Sequence, residues 1–366
     1  MKFLFQKRES FGLDISDLSL KIAKLKKKKR EITLTSFGEE AIPQGIVEKG
    51  EIKDTKGLSE IIRKALQDVK GEKIKTCYVI CSLPEEKSFL DIIQLPPLKN
   101  LQEVKTAVRY EIENYIPLSA EEVYFDCQII KSISDHPSFT EVLLAAAPKT
   151  LVESYVETLK MAGLEPVALE IECLSIARAL IKKEQTKKPL LIIDFGETRT
   201  TFIIFSGMSV RFTSTIPVSS QKITEAIAKT LKIDIKKAEK LKRTYGLQGN
   251  KEVFEAMIPS LTDLVEQIKL HIDYYHSHEK RSNHRVKDGK DLEKVLLCGG
   301  GANLKGLISF LSSQLKVQVT LGNPWVNIFE EPLSQVPPLS FEKSLGYSTA
   351  LGLALRGIQQ EDFFNF

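Results

Sequence analysis

The sequence predicts an α/β protein of two lobes that share one repeated core, with a smaller α+β module interrupting the first. Three observations predict it. The outline of FGLDISDLSLKIAKL at residues 11–25, an apolar run into an aspartate, a polar turn and a second apolar run, returns as LIIDFGETRTTFIIF at residues 191–205, with Asp194 where Asp14 stands. Strand-like and helix-like segments alternate along the remainder, the pattern of a sheet covered by helices. Residues 85–165 keep an order of their own: strand, helix, two strands, helix. A chain of 366 residues that is 42% hydrophobic has room for this, since a single core stops growing at roughly 250 to 300 residues.

Residues 11–17 and 19–25 read as two strands about a turn, and EITLTSFGEE as a third after KKKKR. Five consecutive cations between alternating strands suit an exposed hairpin tip better than a contact with anionic lipid or nucleic acid. LSEIIRKALQDV has apolar residues at helical spacing, and KTCYVICSL reads as a buried strand. In the module, KSFLDIIQLP is a strand and NLQEVKTAVRYEIENYIP a helix stopped by Pro117. VYFDCQIIKSI and FTEVLLAAAP are strands around the turn SDHPS, and TLVESYVETLKMAGLEP is a helix with Gly163 after its last turn. VALEIECLSIARALIKKEQTKK then gives a strand and a helix. Beyond the second hairpin, QKITEAIAKTLKIDIKKAEKLKRTYG is helical with a turn near Ile233 to Ile235, and IPSLTDLVEQIKLHIDYYHSH is a long amphipathic helix. KVLLCGGGANLKGLISFLSSQL is a strand, a triple-glycine turn and a helix, and SLGYSTALGLALRGI is a last, small-residue helix. Residues 1–84 thus form the first lobe, completed by 166–188 and 341–366, with 85–165 as the inserted module. Residues 189–222 form the second lobe, completed by 292–340, with 223–291 as its subdomain.

Composition narrows the function. A formal charge of +4 is too balanced to mark a nucleic-acid binder. No run approaches the roughly 18 to 20 apolar residues of a membrane span, and MKFLFQKRES lacks the core of a signal peptide, so a cytoplasmic protein is expected. Five cysteines scattered through apolar runs suit reduced core thiols; Cys77 and Cys81, in CYVIC, point to one face and lack the second pair a zinc site needs. His271, His276, His278 and His284 fall where a helix decays into a charged loop and read as a solvated helix end rather than a metal cluster. Phe363, Phe364 and Phe366 suit a loose terminus, or a contact with a neighbour.

A hairpin tip carrying aspartate, glycine and hydroxyls presents N–H groups to phosphate, and its carboxylate can hold a hydrated divalent cation. An ordinary polar hairpin has the same residues. VLLCGGGANL adds a glycine corner where a nucleoside or phosphate could approach backbone, although glycine-rich turns also serve packing alone.

In this order the elements resemble the actin-like ATPase superfamily, with Phe11 to Leu25 and Ile192 to Phe205 at its two phosphate loops and Val295 to Leu304 at its adenosine motif. AEKLKRTYG resembles its Glu-x-x-Lys pair, with Glu239 and Lys242 on one helix face beside Arg243. The module is more specific: E-x-Y-I-P, E-E-V-Y-x-D, A-A-P-K and A-G-L-E-P-V, as they stand between Glu113 and Val167, closely resemble the PilM family of type IV pilus assembly proteins, related to FtsA. The resemblance implies a two-lobed actin-like ATPase fold, that is, duplicated ribonuclease H-like domains with an inserted α+β module, and a nucleotide cleft between the lobes. It implies ATP or ADP with Mg2+, the cation organised through water by Asp14 and Asp194. Ser16, Ser19, Lys21, Gly196, Thr198 and Thr200 fall to the phosphates, and Glu239, Lys242, Gly299, Gly300, Gly301 and Asn303 to the nucleoside side. Glu172 stands where bacterial actins orient the attacking water; it also reads as a helix-capping acid. The implied partner is the N-terminal cytoplasmic tail of a PilN-type inner-membrane protein, alongside other pilus inner-membrane and motor components, with the membrane met only through that partner.

One departure matters. Ser16 stands where the superfamily usually has glycine, and a side chain there obstructs close approach to the terminal phosphates, so binding with slow or absent hydrolysis is expected. The alternatives are an FtsA-like polymerising ATPase of cell division and a sugar kinase, for which no catalytic aspartate or sugar-binding insertion is legible.

Overall fold

The computed structural model describes residues 9–29, 31–98, 100–130, 139–279, 292–329 and 336–359. The chain divides into two units: Met1–Leu180 with Pro324–Pro338 and Tyr347–Phe366, and Ile181–Asn323 with Leu339–Gly346. The sequence reading had kept 292–340 together; instead 324–338 fall in unit 1, and 339–346 in unit 2. His284, the turn SDHPS, Arg30, and Phe363, Phe364 and Phe366 lie outside the described residues.

Unit 1 contains β1 (Phe11–Ile15), β2 (Ser19–Lys28), β3 (Glu31–Ala41), α1 (Thr55–Gln67), β4 (Tyr78–Leu83), β5 (Phe89–Leu95), α2 (Leu101–Glu111), β6 (Val123–Ile129), β7 (Thr140–Pro148), α3 (Lys149–Met161), β8 (Glu165–Ile171) and α4 (Glu172–Leu180). Its main sheet has the order β8-β4-β1-β2-β3, closed beyond β3 by the two-residue strand Lys70–Gly71. All five residues of β1 are buried, as expected of a central strand covered on both faces. Phe11, Leu13 and Ile15 pack with Leu58 and Ile62 of α1 and with Tyr155 and Leu159 of α3. Strand alternation turns Gly12 and Asp14 to the opposite face. Of the KKKKR run, Lys26–Lys28 close a hairpin, with Lys28 paired to Glu31 and Lys29 in the left-handed region.

The inserted module is an antiparallel sheet of order β5-β7-β6, with α2 packed on it through Val104 and Val108 and the following 3-10 turn through Ile112. Asn100 starts α2 by accepting from the Glu103 amide, and the α-helix ends at Glu111, ahead of a 3-10 turn, six residues before the expected stop at Pro117. α3 differs from expectation. Its stripe of Leu151, Tyr155 and Leu159 belongs to the main core of unit 1, and the Tyr155 hydroxyl donates to the Gly50 carbonyl at 2.9 Å.

Unit 2 contains β9 (Leu190–Phe195), β10 (Thr200–Ser206), β11 (Ser209–Ile216), α5 (Ser220–Leu231), α6 (Ile235–Tyr245), α7 (Lys251–Glu279), β12 (Val295–Cys298), α8 (Leu307–Leu315) and β13 (Val319–Leu321). Lys232, left-handed, ends α5, and Asp234 caps α6, the turn the sequence had marked. Its sheet has the order β11-β10-β9-β12-β13. That is the order β3-β2-β1-β4-β8 of unit 1, with the same two antiparallel and two parallel pairings. The repeated hairpin is therefore the seed of a repeated domain. A last helix, α9 (Ser348–Gln359), joins unit 1, where it packs on β1 and α4.

Two side-chain expectations change. Cys77 is exposed, because β4 begins one residue after it; the other four cysteines are buried. His271 is no solvated helix end: its ring bonds the Gln267 carbonyl and the Ser214 hydroxyl and lies against Phe202 and Phe212. Among the described residues no group of His, Cys, Asp or Glu is placed to hold a metal by itself, and no helix is long and apolar enough to cross a membrane.

Candidate functional site

Each unit carries its own half of the predicted constellation. In unit 1, Ile15 pairs with Leu20, leaving a four-residue turn closed by the Ser16 amide on the Ser19 carbonyl at 2.9 Å. Asp14, just before the turn, is 5% exposed, and its Oδ1 accepts a 3.0 Å bond from the Ser82 hydroxyl on β4. Ser82 accepts in turn from the Ile15 amide at 3.1 Å. Across the hairpin the Lys21 ammonium donates to the Ser19 hydroxyl at 2.9 Å and stands 3.7 Å from Glu39. Asp17 accepts from the Gly50 amide, which pins the turn from outside. Glu172 opens α4, with its carbonyl taking the Ser175 hydroxyl at 2.8 Å. Burial pushes the Cys81 thiol well up, and the charges of Asp14 and Glu172 push it further.

Unit 2 repeats the turn. Phe195 pairs with Thr200, and the Gly196 amide bonds the Arg199 carbonyl at 3.0 Å. A Cβ at Gly196 would stand 2.8 Å from that carbonyl oxygen, so glycine is fitted to this tip where Ser16 is tolerated in the other. Asp194 faces Cys298 across the parallel pair, with 3.7 Å between the thiol sulfur and Oδ1. Thr198 is half-buried on the turn. Thr200 differs from its expected role: it is fully buried, and its hydroxyl is spent on the Val218 carbonyl at 2.6 Å, tying β10 to the approach of α5.

The glycine corner closes on the same turn. Gly299 has φ +81°, and a Cβ there would fall 2.4 Å from Asp194 Oδ1 and 2.6 Å from the Phe195 carbonyl oxygen. At Gly301 it would meet the Phe195 ring at 2.6 Å, whereas Gly300 faces open space. Asn303 donates to the Glu342 carbonyl at 2.9 Å, which fixes the corner's far end. The helix expected after the triple-glycine turn does not follow it directly. A 3-10 turn over Gly300–Asn303 intervenes, and α8 begins only at Leu307.

The first turn of α5 is seated on the hairpin tip, its Ser220 and Gln221 amides bonding the Gly196 and Glu197 carbonyls. Lys242, 6% exposed, reaches from α6 to that same turn, donating to the Ser220 carbonyl at 2.9 Å, the Ser220 hydroxyl at 2.8 Å and the Thr224 hydroxyl at 2.7 Å. Glu239 pairs with Lys242 at 2.7 Å and accepts from Thr224 at 2.6 Å and Arg243 at 2.7 Å. Burial pushes the Glu239 carboxyl up, but the hydrogen bonds from Lys242, Thr224 and Arg243 overcome it and hold it at about 2; burial lowers the Lys242 ammonium. Unit 2 thus gathers Asp194, Gly196, Gly299, Gly301, Glu239 and Lys242 through an unbroken set of contacts. Sequence reading missed Ser82, Ser220 and Thr224, since a lone hydroxyl in an apolar strand or helix carries no periodic signal.

A depressed carboxyl stabilises the fold above its unfolded pKa. The Glu239 contribution is therefore complete above about pH 4.5 and is lost as pH falls toward about 2. Urea unfolding measured between these limits falls less steeply with acidification in Glu239→Gln than in the parent chain; parallel slopes would show the pair to be inert.

These residues fit a magnesium nucleotide. In each unit a carboxylate precedes a hydrogen-bonded tip, and in unit 2 the Gly299 backbone comes so near Asp194 that a Cβ there would clash with Oδ1.

The family model described as type IV pilus assembly protein PilM matches residues 12–358. A chain of a PilM–PilN type IV pilus biogenesis complex is similar over 96% of this chain and 99% of that one, at 26% identity and a TM-score of 0.79. MreB5 of Spiroplasma citri bound to ADP shares the fold at 12% identity over 96% and 98% of the chains, with a TM-score of 0.55. Cell division protein FtsA of Pseudomonas aeruginosa is 23% identical over 221 residues, covering 54% of this chain and 49% of that protein. The matches cover between about a quarter and just over half of the length of the curated relatives.

Proposed function

Because the chain belongs to the PilM family of type IV pilus assembly proteins, we propose that it is a cytoplasmic, nucleotide-binding scaffold of the pilus machine. It takes the N-terminal cytoplasmic tail of a PilN-type inner-membrane protein and so links that protein to other inner-membrane and motor components. It binds no nucleic acid and meets the membrane through its partner. The likeness to a chain from a PilM–PilN complex along almost the whole of both chains is the observation that carries this reading. An extended tail would dock through apolar side chains and backbone hydrogen bonds.

ATP or ADP is the proposed ligand, with Mg2+, which neutralises phosphate charge when bound. Asp14 and Asp194, each just before its own unit's tip, are the carboxylates proposed to take cation-bound water. The amide-rich tips at Ser16 to Ser19 and Gly196 to Arg199 take phosphate, and the corner Gly299 to Gly301 with the Glu239–Lys242 pair serves the nucleoside. The Ser16 side chain favours binding over turnover, with Glu172 the candidate to orient water in whatever hydrolysis remains.

The test is direct. A synthetic tail of a PilN-type protein, followed by fluorescence anisotropy, binds the purified chain, and magnesium ATP changes its affinity. Absence of binding in both states would refute the scaffold reading. Filaments sedimenting on addition of ATP would favour the polymerising alternative, and steady magnesium-dependent phosphate release abolished by Glu172→Ala would refute slow turnover.

A further inference from the structure

The lysine run that the nucleotide reading leaves unused stands at the far end of its strand. β2 starts at Ser19, on the proposed phosphate tip, and ends at Lys28, about 30 Å further along. Lys27, Lys28 and Lys29 are exposed there. The sequence alone favoured a solvated tip, but the structure adds a second basic segment beside it. Lys70 pairs with Phe37 and Gly71 with Ser36, so this segment runs antiparallel to β3, back toward the hairpin's end, with Lys73 and Lys75 following, both exposed. Acid is scarce on this surface. Residues 24–33 and 69–76 hold eight lysines and two glutamates, Glu31 and Glu72. Lys24 pairs with Glu9 at 2.9 Å, and Lys26 with Glu72. The hydrogen bond from Lys26 holds the Glu72 carboxyl below its ordinary value, and the charges of Lys24 and Lys28 lower it too, so one acid faces three cations.

The chemistry of the surface selects its partner. Among the described residues of both segments every cation is a lysine, and neither segment has an aromatic residue. Protein interfaces are enriched in arginine and aromatic side chains and poor in lysine. Nucleic acid is held by guanidinium forks and by bases stacked on aromatic rings. Flexible, strongly hydrated ammonium groups need no fixed geometry, which suits a diffuse layer of lipid phosphates. We propose that the end of the β2–β3 hairpin, with Lys70, Lys73 and Lys75, rests on the anionic headgroups of the membrane to which the partner's tail brings the chain. The delivery by the tail rests on the scaffold reading above; the contact itself does not. Each lysine adds little alone, but a bound tail keeps all of them at high local concentration beside the bilayer.

The experiment sediments the full chain, without any tail, with vesicles containing phosphatidylglycerol at about 0.1 M salt. The chain pellets with these vesicles but not with pure phosphatidylcholine, and about 1 M salt releases it. Lys27→Ala, Lys28→Ala and Lys29→Ala together lower the partition about a hundredfold. Removing the same charge from α6, with Lys236→Ala, Lys237→Ala and Lys240→Ala, leaves it near the parent value. All six side chains are exposed, and matched thermal midpoints show that both variants fold. Equal losses in the two variants would reduce the effect to net charge and overturn the proposal, as would parent-like binding in the hairpin variant. Binding of single-stranded RNA or of polyglutamate that the hairpin variant loses, while its vesicle binding persists, would assign the surface to nucleic acid or to an acidic protein instead. A parent chain that ignores anionic vesicles sinks this contact and leaves tail binding, read by anisotropy, untouched.

Discussion

Substituting leucine for Gly352 unfolds unit 1, or leaves it with a small fraction of its stability. Gly352 lies where α9 meets α4 backbone to backbone: a Cβ there would stand 1.9 Å from the Ser175 carbonyl oxygen and 2.5 Å from its carbon. Neither partner is a flexible side chain that can swing aside. The helix is held equally close on its other side, where a Cβ at Gly12 of β1 would come within 2.3 Å of the Ala350 carbonyl oxygen. Relief therefore requires lifting α9 as a body, which uncovers Leu351, Leu353 and Leu355, all now fully buried. Overpacking by a few carbons typically costs about 1 to 3 kcal/mol, and the lost burial of even one leucine adds about 2 more. Against a total stability of about 5 to 15 kcal/mol that is a large share. Thermal unfolding followed by circular dichroism gives the answer, and a midpoint within a degree or two of the parent would show the contact to be slack.

Glu170→Ala has an effect of similar size by a different route. The Glu170 carboxylate is 2% exposed and is gripped by two guanidinium groups, Arg178 at 2.6 and 3.0 Å and Arg356 at 3.0 Å. Arg178 also donates to the Gly352 carbonyl at 3.3 Å, so the cluster rivets β8, α4 and α9 together. Burial alone pushes the Glu170 carboxyl up, but the charges of Arg178 and Arg356 reverse this and hold it below the ordinary value. Removing the carboxylate takes the shared counter-charge from two largely buried guanidinium groups, at a cost of about 3 to 5 kcal/mol. Replacing all three residues by apolar ones of similar volume restores most of that loss, because the desolvation of the ions disappears with them. The stabilisation is complete above about pH 4.5 and declines as acid protonates the carboxyl in the folded state. Urea denaturation of the single and triple variants separates the two contributions; equal losses in both would contradict it.

What could be read from the sequence divides along a physical line. The two hairpins, the glycine corner and the Glu239–Lys242 pair were legible because each is local, its residues lying within a turn or two of one another. Even the strand order of the second domain follows from recognising that the first repeats. Partners chosen across long stretches of chain left no such trace. Glu170 sits in an unremarkable strand pattern, and nothing near it announces arginines at 178 and 356. The apolar stripe of α3 looks the same whether it covers the module or the main core. Thr200 reads as a loop hydroxyl until β10 is seen to begin with it, which turns its side chain inward to Val218. His271 reads as a polar helix residue until Ser214 of β11 is brought beside it. In each case the periodicity was right and the neighbour was undetermined.

The seating of α9 against β1 also sets an order of events during synthesis. β1 leaves the ribosome more than three hundred residues ahead of the helix that covers its Gly12 face. Unit 2, whose sheet and helices come almost wholly from the stretch between, can close before that helix exists. Until then, β1 keeps that face bare and awaits α9, so the nascent chain depends on whatever shields it in the interval.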